Sequence, residues 1–178
     1  MLVTKITFGK TICRRFFLLE EQMKKTTIIS FASFALFSLS TFARAAETIS
    51  GIPTVVNGTT IMVSGKTIQL YGIKGPKGYV ACTWKSKRTM NCAKLATAGL
   101  KDITIASTVI CRRQNNKTYV CKADGFDLAY GLIHAGWALP TANAPKSYFA
   151  KRDNARTNKR GLWRAVNKSG QIVALQIQ

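Results

Sequence analysis

Fixed positive charge is the chemistry this chain holds most of. Lys74 and Lys77 bracket Gly75-Pro76, and Lys66, Lys85, Lys87, Arg88, Arg112, Arg113 and Lys117 share the same central stretch. Ammonium and guanidinium groups bind anions, repel metal ions and, while protonated, accept no proton. The complementary chemistry is scarce. From Ala46 onward the acids are Glu47, Asp102, Asp124, Asp127 and Asp153, against twenty lysines and arginines, a net charge of +15. The whole 178-residue chain carries +20. His134 is the one histidine, so no centre can be built from several imidazoles, and as a general base it would act alone. Tyr71, Tyr79 and Tyr119 lie between the basic residues, and aromatic rings among cations suit stacking with bases. A field of this sign attracts nucleic acid, anionic lipid or acidic polysaccharide. The competing reading is a set of solvated surface lysines with tyrosines in the core. A second basic group, Lys146, Lys151, Arg152, Arg156, Lys159, Arg160 and Arg164, faces one acid, Asp153. With 47% hydrophobic residues the chain can bury a core, which excludes a disordered basic tail.

Four cysteines follow residue 45: Cys82, Cys92, Cys111 and Cys121. An even number in an exported chain reads as disulfides, with three possible pairings. The sequence-local pairs Cys82–Cys92 and Cys111–Cys121 are favoured, each worth about 2.5–3 kcal/mol by loop closure. A zinc site would need a close Cys-x-x-Cys pair, which is absent. Export is read from Met23-Lys24-Lys25, the apolar stretch from Ile28 to Leu39 and Ala43-Arg44-Ala45, which together have secretory-signal anatomy with cleavage near Ala45/Ala46. The apolar stretch is shorter than the ~20 residues of a membrane span, so no stable anchor is expected. The organisation follows: 1–22 an upstream extension, 23–45 the signal peptide, 46–166 one domain, 167–178 a tail. The expected location is periplasmic or secreted, and the expected state a monomer.

The elements that must position these residues are short. Ile52 to Val56, Thr60 to Val63 and Thr67 to Ile73 read as strands separated by the turn signals Asn57-Gly58 and Ser64-Gly65. Gly75 to Arg88 reads as a loop and Met90 to Leu100 as a helix, against which Gly99 is an objection. Ile103 to Cys111 and Thr118 to Ala123 form a hairpin, Asp127 to Ala135 a helix ended by Gly136, and Lys146 to Arg160 the last helix. Ile172 to Leu175 adds a strand or docks on a surface. Asp102 ends a helix, Asp124 turns the chain and Asp127 caps a helix. Trp137 and Trp163 seal the core. The order βββαββαα predicts an α+β fold: a five-stranded OB-type β-barrel with three helices packed on it.

Several motifs then resemble the staphylococcal nuclease (thermonuclease-like) family over roughly Gly51 to Arg164. They are Val55-Val56-Asn57-Gly58-Thr59-Thr60-Ile61, Ile68-Gln69-Leu70-Tyr71-Gly72-Ile73-Lys74-Gly75-Pro76-Lys77, Ala123-Asp124-Gly125-x-Asp127-Leu128, Leu132-x-x-x-Gly136-Trp137-Ala138 and Gly161-Leu162-Trp163. The four cysteines resemble those of exported bacterial members. The resemblance implies a calcium-dependent phosphodiesterase in which aspartates hold the ion, a glutamate activates water and arginines stabilise the phosphorane. Every one of those positions is altered here. Asn57 and Thr59 stand for the aspartates of the first motif, Gln69 for an arginine, Lys74 for a metal aspartate, Lys77 for the glutamate and Asn116 or Lys117 for the last arginine; Thr60 matches.

Calcium needs several oxygen ligands, most of its attraction coming from carboxylates. Thr59, Lys74 and Lys77 in place of three carboxylates change the local formal charge from −3 to +2. No catalytic residue, metal or cofactor is therefore expected. The expected function is an exported nuclease-like domain without calcium-dependent hydrolysis that binds nucleic acid or another polyanion through Thr60, Lys74, Lys77, Lys85, Lys87, Arg88, Arg112, Arg113 and Lys117. The alternatives are an active DNA/RNA hydrolase with a rearranged, calcium-binding site, and a host- or envelope-interaction protein.

Overall fold

β-Branched residues at alternate positions decide which side of each strand is buried, and the sheet grows from that pattern. The computed structural model describes residues 46–84 and 88–177. The expected extension 1–22 and signal peptide 23–45, together with Lys85 and Lys87, lie outside the described residues. The strands are β1 (Thr48–Gly51), β2 (Thr54–Asn57), β3 (Thr60–Val63), β4 (Lys66–Leu70), β5 (Ile73–Lys74), β6 (Ala81–Thr83), β7 (Thr89–Asn91), β8 (Val109–Arg113), β9 (Thr118–Ala123), β10 (Phe126–Asp127) and β11 (Leu139–Pro140). The helices are α1 (Cys92–Asp102), α2 (Leu128–His134), α3 (Lys146–Thr157) and α4 (Val173–Ile177), with a 3-10 turn at Gly161–Trp163.

The fold is α+β. Its main sheet runs β1-β8-β9-β4-β3-β2, with β10 also on β9. β4 pairs with β9 in parallel, and its neighbours are antiparallel. Three expectations are corrected. First, the strands form no closed five-membered ring among the described residues. Gly51 and Pro53 break the chain between β1 and β2, and Pro53 has no N–H to donate. β1, unforeseen as a strand, pairs with β8, and its approach to the β3–β4 turn is made by a side chain: Ser64 Oγ donates to the Ser50 carbonyl at 3.0 Å. Second, the presumed loop 75–88 contains β6, which pairs with β7 and is clamped by Cys82–Cys92. Third, four α-helices rather than three occur among the described residues, because residues 173–177 form a helix that buries Val173 and Ala174.

Two apolar clusters hold these elements. Ile61, Val63, Ile68 and Leu70 point from β3 and β4 to Val109, Tyr119 and the Cys111–Cys121 disulfide, capped by Leu128, Leu132 and Ile133 of α2. Each large aliphatic side chain so buried contributes about 1.5–3 kcal/mol. The second cluster joins Cys82–Cys92 to Leu139, Ala155, Leu162, Trp163, Val173 and Ala174. Cys111 and Cys121 face each other across β8 and β9, so the disulfide staples a register already set by the ladder.

Helix α1 begins where Asn91 Oδ1 accepts from the Ala93 N–H at 2.9 Å and buries Cys92, Ala96 and Leu100. Gly99 is required: a Cβ there would stand 2.8 Å from Cδ1 of Trp137. Helix α2 is capped by Asp127, whose Oδ1 accepts from the Tyr130 N–H while Oδ2 accepts from Tyr148 Oη at 2.7 Å. That second bond ties α3 to the start of α2. Asp124 takes the turn, with φ at 49°.

Candidate functional site

Four of the positions singled out in the sequence, Thr60, Gln69, Asn116 and Lys117, meet at one edge of the sheet. Thr60 lies opposite Gln69 on β3 and β4, and Gln69 pairs in parallel with Thr118 on β9. Over this row folds the β8–β9 turn, where Asn115 Oδ1 accepts from the N–H groups of Lys117 and Thr118 at 3.2 and 3.1 Å. This Asx arrangement fixes a tight turn without glycine. The result is a cavity of about 270 Å³ lined by Thr60, Lys66, Thr67, Gln69, Asn116, Lys117 and Tyr119.

Glu47 modifies the charge beside this cavity. Its Oε1 lies 2.5 Å from Lys66 Nζ, and Oε2 lies 3.2 Å from Arg113 Nε. The Arg113 contact is an ion pair without a formed hydrogen bond, since the N–H is not aimed at the oxygen. Tyr119 Oη donates to Glu47 Oε2 at 3.4 Å, and both cations flank the tyrosine ring, 5.5 and 5.8 Å from its centre. The hydrogen bond from Lys66 holds the Glu47 carboxyl below its ordinary range, partial burial opposes this and the Arg113 charge adds to it. Lys66 is correspondingly raised by its bond to Glu47 and by Tyr119. Lys117 is exposed on the turn above.

The positions expected to hold a metal lie next to the row. Asn57 Oδ1 accepts from the Thr59 N–H at 3.0 Å and from Thr59 Oγ1 at 3.3 Å, closing the β2–β3 turn on itself. Thr59 is buried, and its Cγ2 stands 3.1 Å from the point a Cβ on Gly75 would occupy. The segment carrying Lys74 therefore packs directly on Thr59. Lys74 itself is half-buried opposite Leu139, while Lys77 is exposed past Pro76; neither lines the cavity. Among the described residues no group of three or more His, Cys, Asp or Glu side chains could hold a metal ion.

The remaining basic residues are dispersed. Arg112 is exposed on the outer face of β8, opposite Val120, and lines a groove of about 540 Å³ with Lys122. Arg113 points the other way, to Glu47. Arg88 lines a third hollow near the end of α3. Of the tyrosines considered for stacking, Tyr119 is 1% exposed and offers no face to a base, because it forms the floor of the core beneath Glu47. Tyr71 is half-buried with Oη donating to the Asn143 carbonyl, and Tyr79 is exposed. His134 is exposed beside Arg160; slight burial and the charges of Arg160 and Lys151 lower its pKa. Sequence reasoning missed Glu47. Its signal was its isolation: it is the sole acid between Ala46 and Lys101, so some cluster of cations had to use it.

Fold and site together define a doubly disulfide-bonded α+β protein with a basic cavity and no carboxylate cluster among its described residues. Among those residues no helix is long and apolar enough to cross a membrane. No family model matches the chain. It is 30% identical over 131 residues to the succinoglycan biosynthesis protein ExoI of Rhizobium meliloti (strain 1021), covering 69% of each chain. The chain belongs to the family of that protein.

Proposed function

We propose that this is an exported staphylococcal nuclease-like protein of OB-type ancestry that binds a polyanion, nucleic acid in the first instance, and does not hydrolyse phosphodiesters by a calcium mechanism. One observation carries the reading. Thr60, Gln69, Asn116 and Lys117, far apart in sequence, line a single cavity whose charged walls are Lys66 and Lys117. The lining offers anions fixed charge and a divalent cation no carboxylate, and the expected ligand positions next to it, Thr59 and Lys74, add none. The two disulfides suit an oxidising compartment.

The test is titration with a single-stranded oligonucleotide at rising salt. Binding should weaken with a log–log slope of about −0.7 per phosphate contacted, and Lys117→Glu should reduce both affinity and slope. No binding at low salt defeats the proposal. Plasmid DNA incubated with calcium should stay intact, as with a chelator; calcium-dependent cleavage would establish the rearranged hydrolase instead.

A second reading is favoured by the relative, whose name places it in succinoglycan biosynthesis. A glycan bearing succinyl half-esters presents carboxylates to the same cations. Competition of the bound oligonucleotide by such a glycan, at equal charge concentration, distinguishes the two.

A further inference from the structure

Away from the cavity, two glycines let the backbone cross itself. Gly136, with φ at 79°, sits where a Cβ would meet the Arg160 carbonyl oxygen at 2.4 Å, and a Cβ on Gly161 would meet the Gly136 carbonyl at 2.6 Å. Leu162 N–H donates to that same Gly136 carbonyl at 2.9 Å. The crossing places Trp137, which follows Gly136, beside Arg160, which precedes Gly161. The β6–β7 hairpin, closed by Cys82–Cys92, supplies Trp84 and Arg88 from the other side. Between them lies a groove of about 590 Å³.

Its wall contains two half-buried indoles, Trp84 and Trp137, each packed on one side against the apolar clusters, with the apolar side chains of Met90 and Leu95. Its rim carries Arg88, Lys159, Arg160 and Arg164 and no acid. None of these four is paired with a carboxylate among the described residues. Arg160 is anchored by neutral acceptors: Nη1 donates to the His134 carbonyl at 3.1 Å and to Asn154 Oδ1 at 2.9 Å. Its guanidinium is thus held in place at the groove with its charge uncompensated. Asp153, the one acid of α3, is taken by Arg152.

We infer that this groove is a second binding site, one that takes single-stranded nucleic acid, the indoles stacking on bases and the rim arginines meeting phosphates. Stacking surfaces beside backbone-tracking cations are the combination that binds single strands without reading their sequence. The inference does not rest on the cavity beside Lys117.

The experiment titrates the disulfide-bonded protein with oligothymidylate and with an abasic deoxyribose-phosphate oligomer of equal length, following tryptophan emission. Oligothymidylate should bind roughly ten-fold tighter and quench the emission, since stacked bases add affinity that an abasic backbone lacks. Trp84→Ala should reduce that preference several-fold, Trp137 remaining, and leave abasic binding unchanged. The double change Arg88→Glu, Arg164→Glu should weaken both oligomers roughly ten-fold and flatten the salt slope by about 1.4. Lys117→Glu should leave the preference for bases intact, so failure of the cavity reading and failure of this one are separable. Equal affinity for the two oligomers, indifference to the arginine reversals, or displacement by polygalacturonate at matching charge concentration would overturn the groove as a nucleic-acid site.

Discussion

The cavity under the β8–β9 turn and the groove beside the glycine crossing are both basic, yet they spend their charge differently. Beside the cavity, Glu47 holds Lys66 and Arg113, and the aromatic ring between those cations is sealed in the core. In the groove, the arginines meet no carboxylate among the described residues, and the indoles are only partly buried. A count of positive residues therefore overstates what the first region can offer an anion and understates the second. Partly neutralised cations serve the fold first; uncompensated ones beside a partly accessible ring remain available to a ligand.

The largest effect that can break this comparison is on the backbone crossing. Gly136→Ala puts a methyl into the Arg160 carbonyl at a left-handed φ, and should destabilise the protein by about 3 kcal/mol or more, lowering the melting temperature by roughly 10 °C. An unchanged melt would mean that the crossing does not hold the groove together.

The two disulfides come next. Each spans ten residues, so loop closure predicts a loss of about 3 kcal/mol for either double Cys→Ala variant in denaturant unfolding. Their functional effects should differ. Removing Cys82–Cys92 should loosen the hairpin that carries Trp84 and Arg88 and weaken base-dependent binding. Removing Cys111–Cys121, inside a five-rung ladder, should leave it intact. Equal effects on binding would erase the distinction between the regions.

A smaller effect is expected at the joint of α2 and α3. Tyr148→Phe removes the hydroxyl that donates to Asp127 and should cost about 1.5–3 kcal/mol by thermal or urea unfolding. It touches neither region and should leave both binding modes unchanged.

The smallest effect sharpens the electrostatic difference. Glu47 is depressed when folded, so its contribution to stability is present above the unfolded carboxyl value near 4.5 and is lost as pH falls through the lower folded value. Lys66 is raised, so its contribution is present below 10.5 and is lost as pH climbs through the folded value. Glu47→Gln should flatten the acid limb of the stability profile and raise oligonucleotide affinity a few-fold at neutral pH by releasing Lys66. Unaltered affinity would show that the lysine was never restrained by the pair.

Much of the fold was legible because its signals are local. The strand expected at 60–63 is present and the one expected at 67–73 is present as far as Leu70, where a turn at Tyr71-Gly72 splits it; Asn57-Gly58 and Ser64-Gly65 mark the turns, and Asp127 caps the helix expected after it. β1 and the β6–β7 hairpin were not legible. They exist through partners elsewhere: β8 for the first, and the Cys82–Cys92 clamp and a bridge from Thr83 to Val166 for the second. The Gly99 objection to α1 also came from reading one segment alone. Trp137, distant in sequence, needs the space that glycine leaves.

By itself the sequence determined the sign of the charge, the scarcity of carboxylates and the pairs of cysteines close enough to join. Those follow from composition and spacing, which folding cannot alter. Only the tertiary structure decided which cations are neutralised and which face an open groove. Glu47 reaches Lys66 across 19 residues and Tyr119 across 72, and two glycines 25 residues apart bring Trp137 to Arg160. Coulomb attraction and steric clearance depend on distance in space, and that distance is set only once the chain has closed on itself.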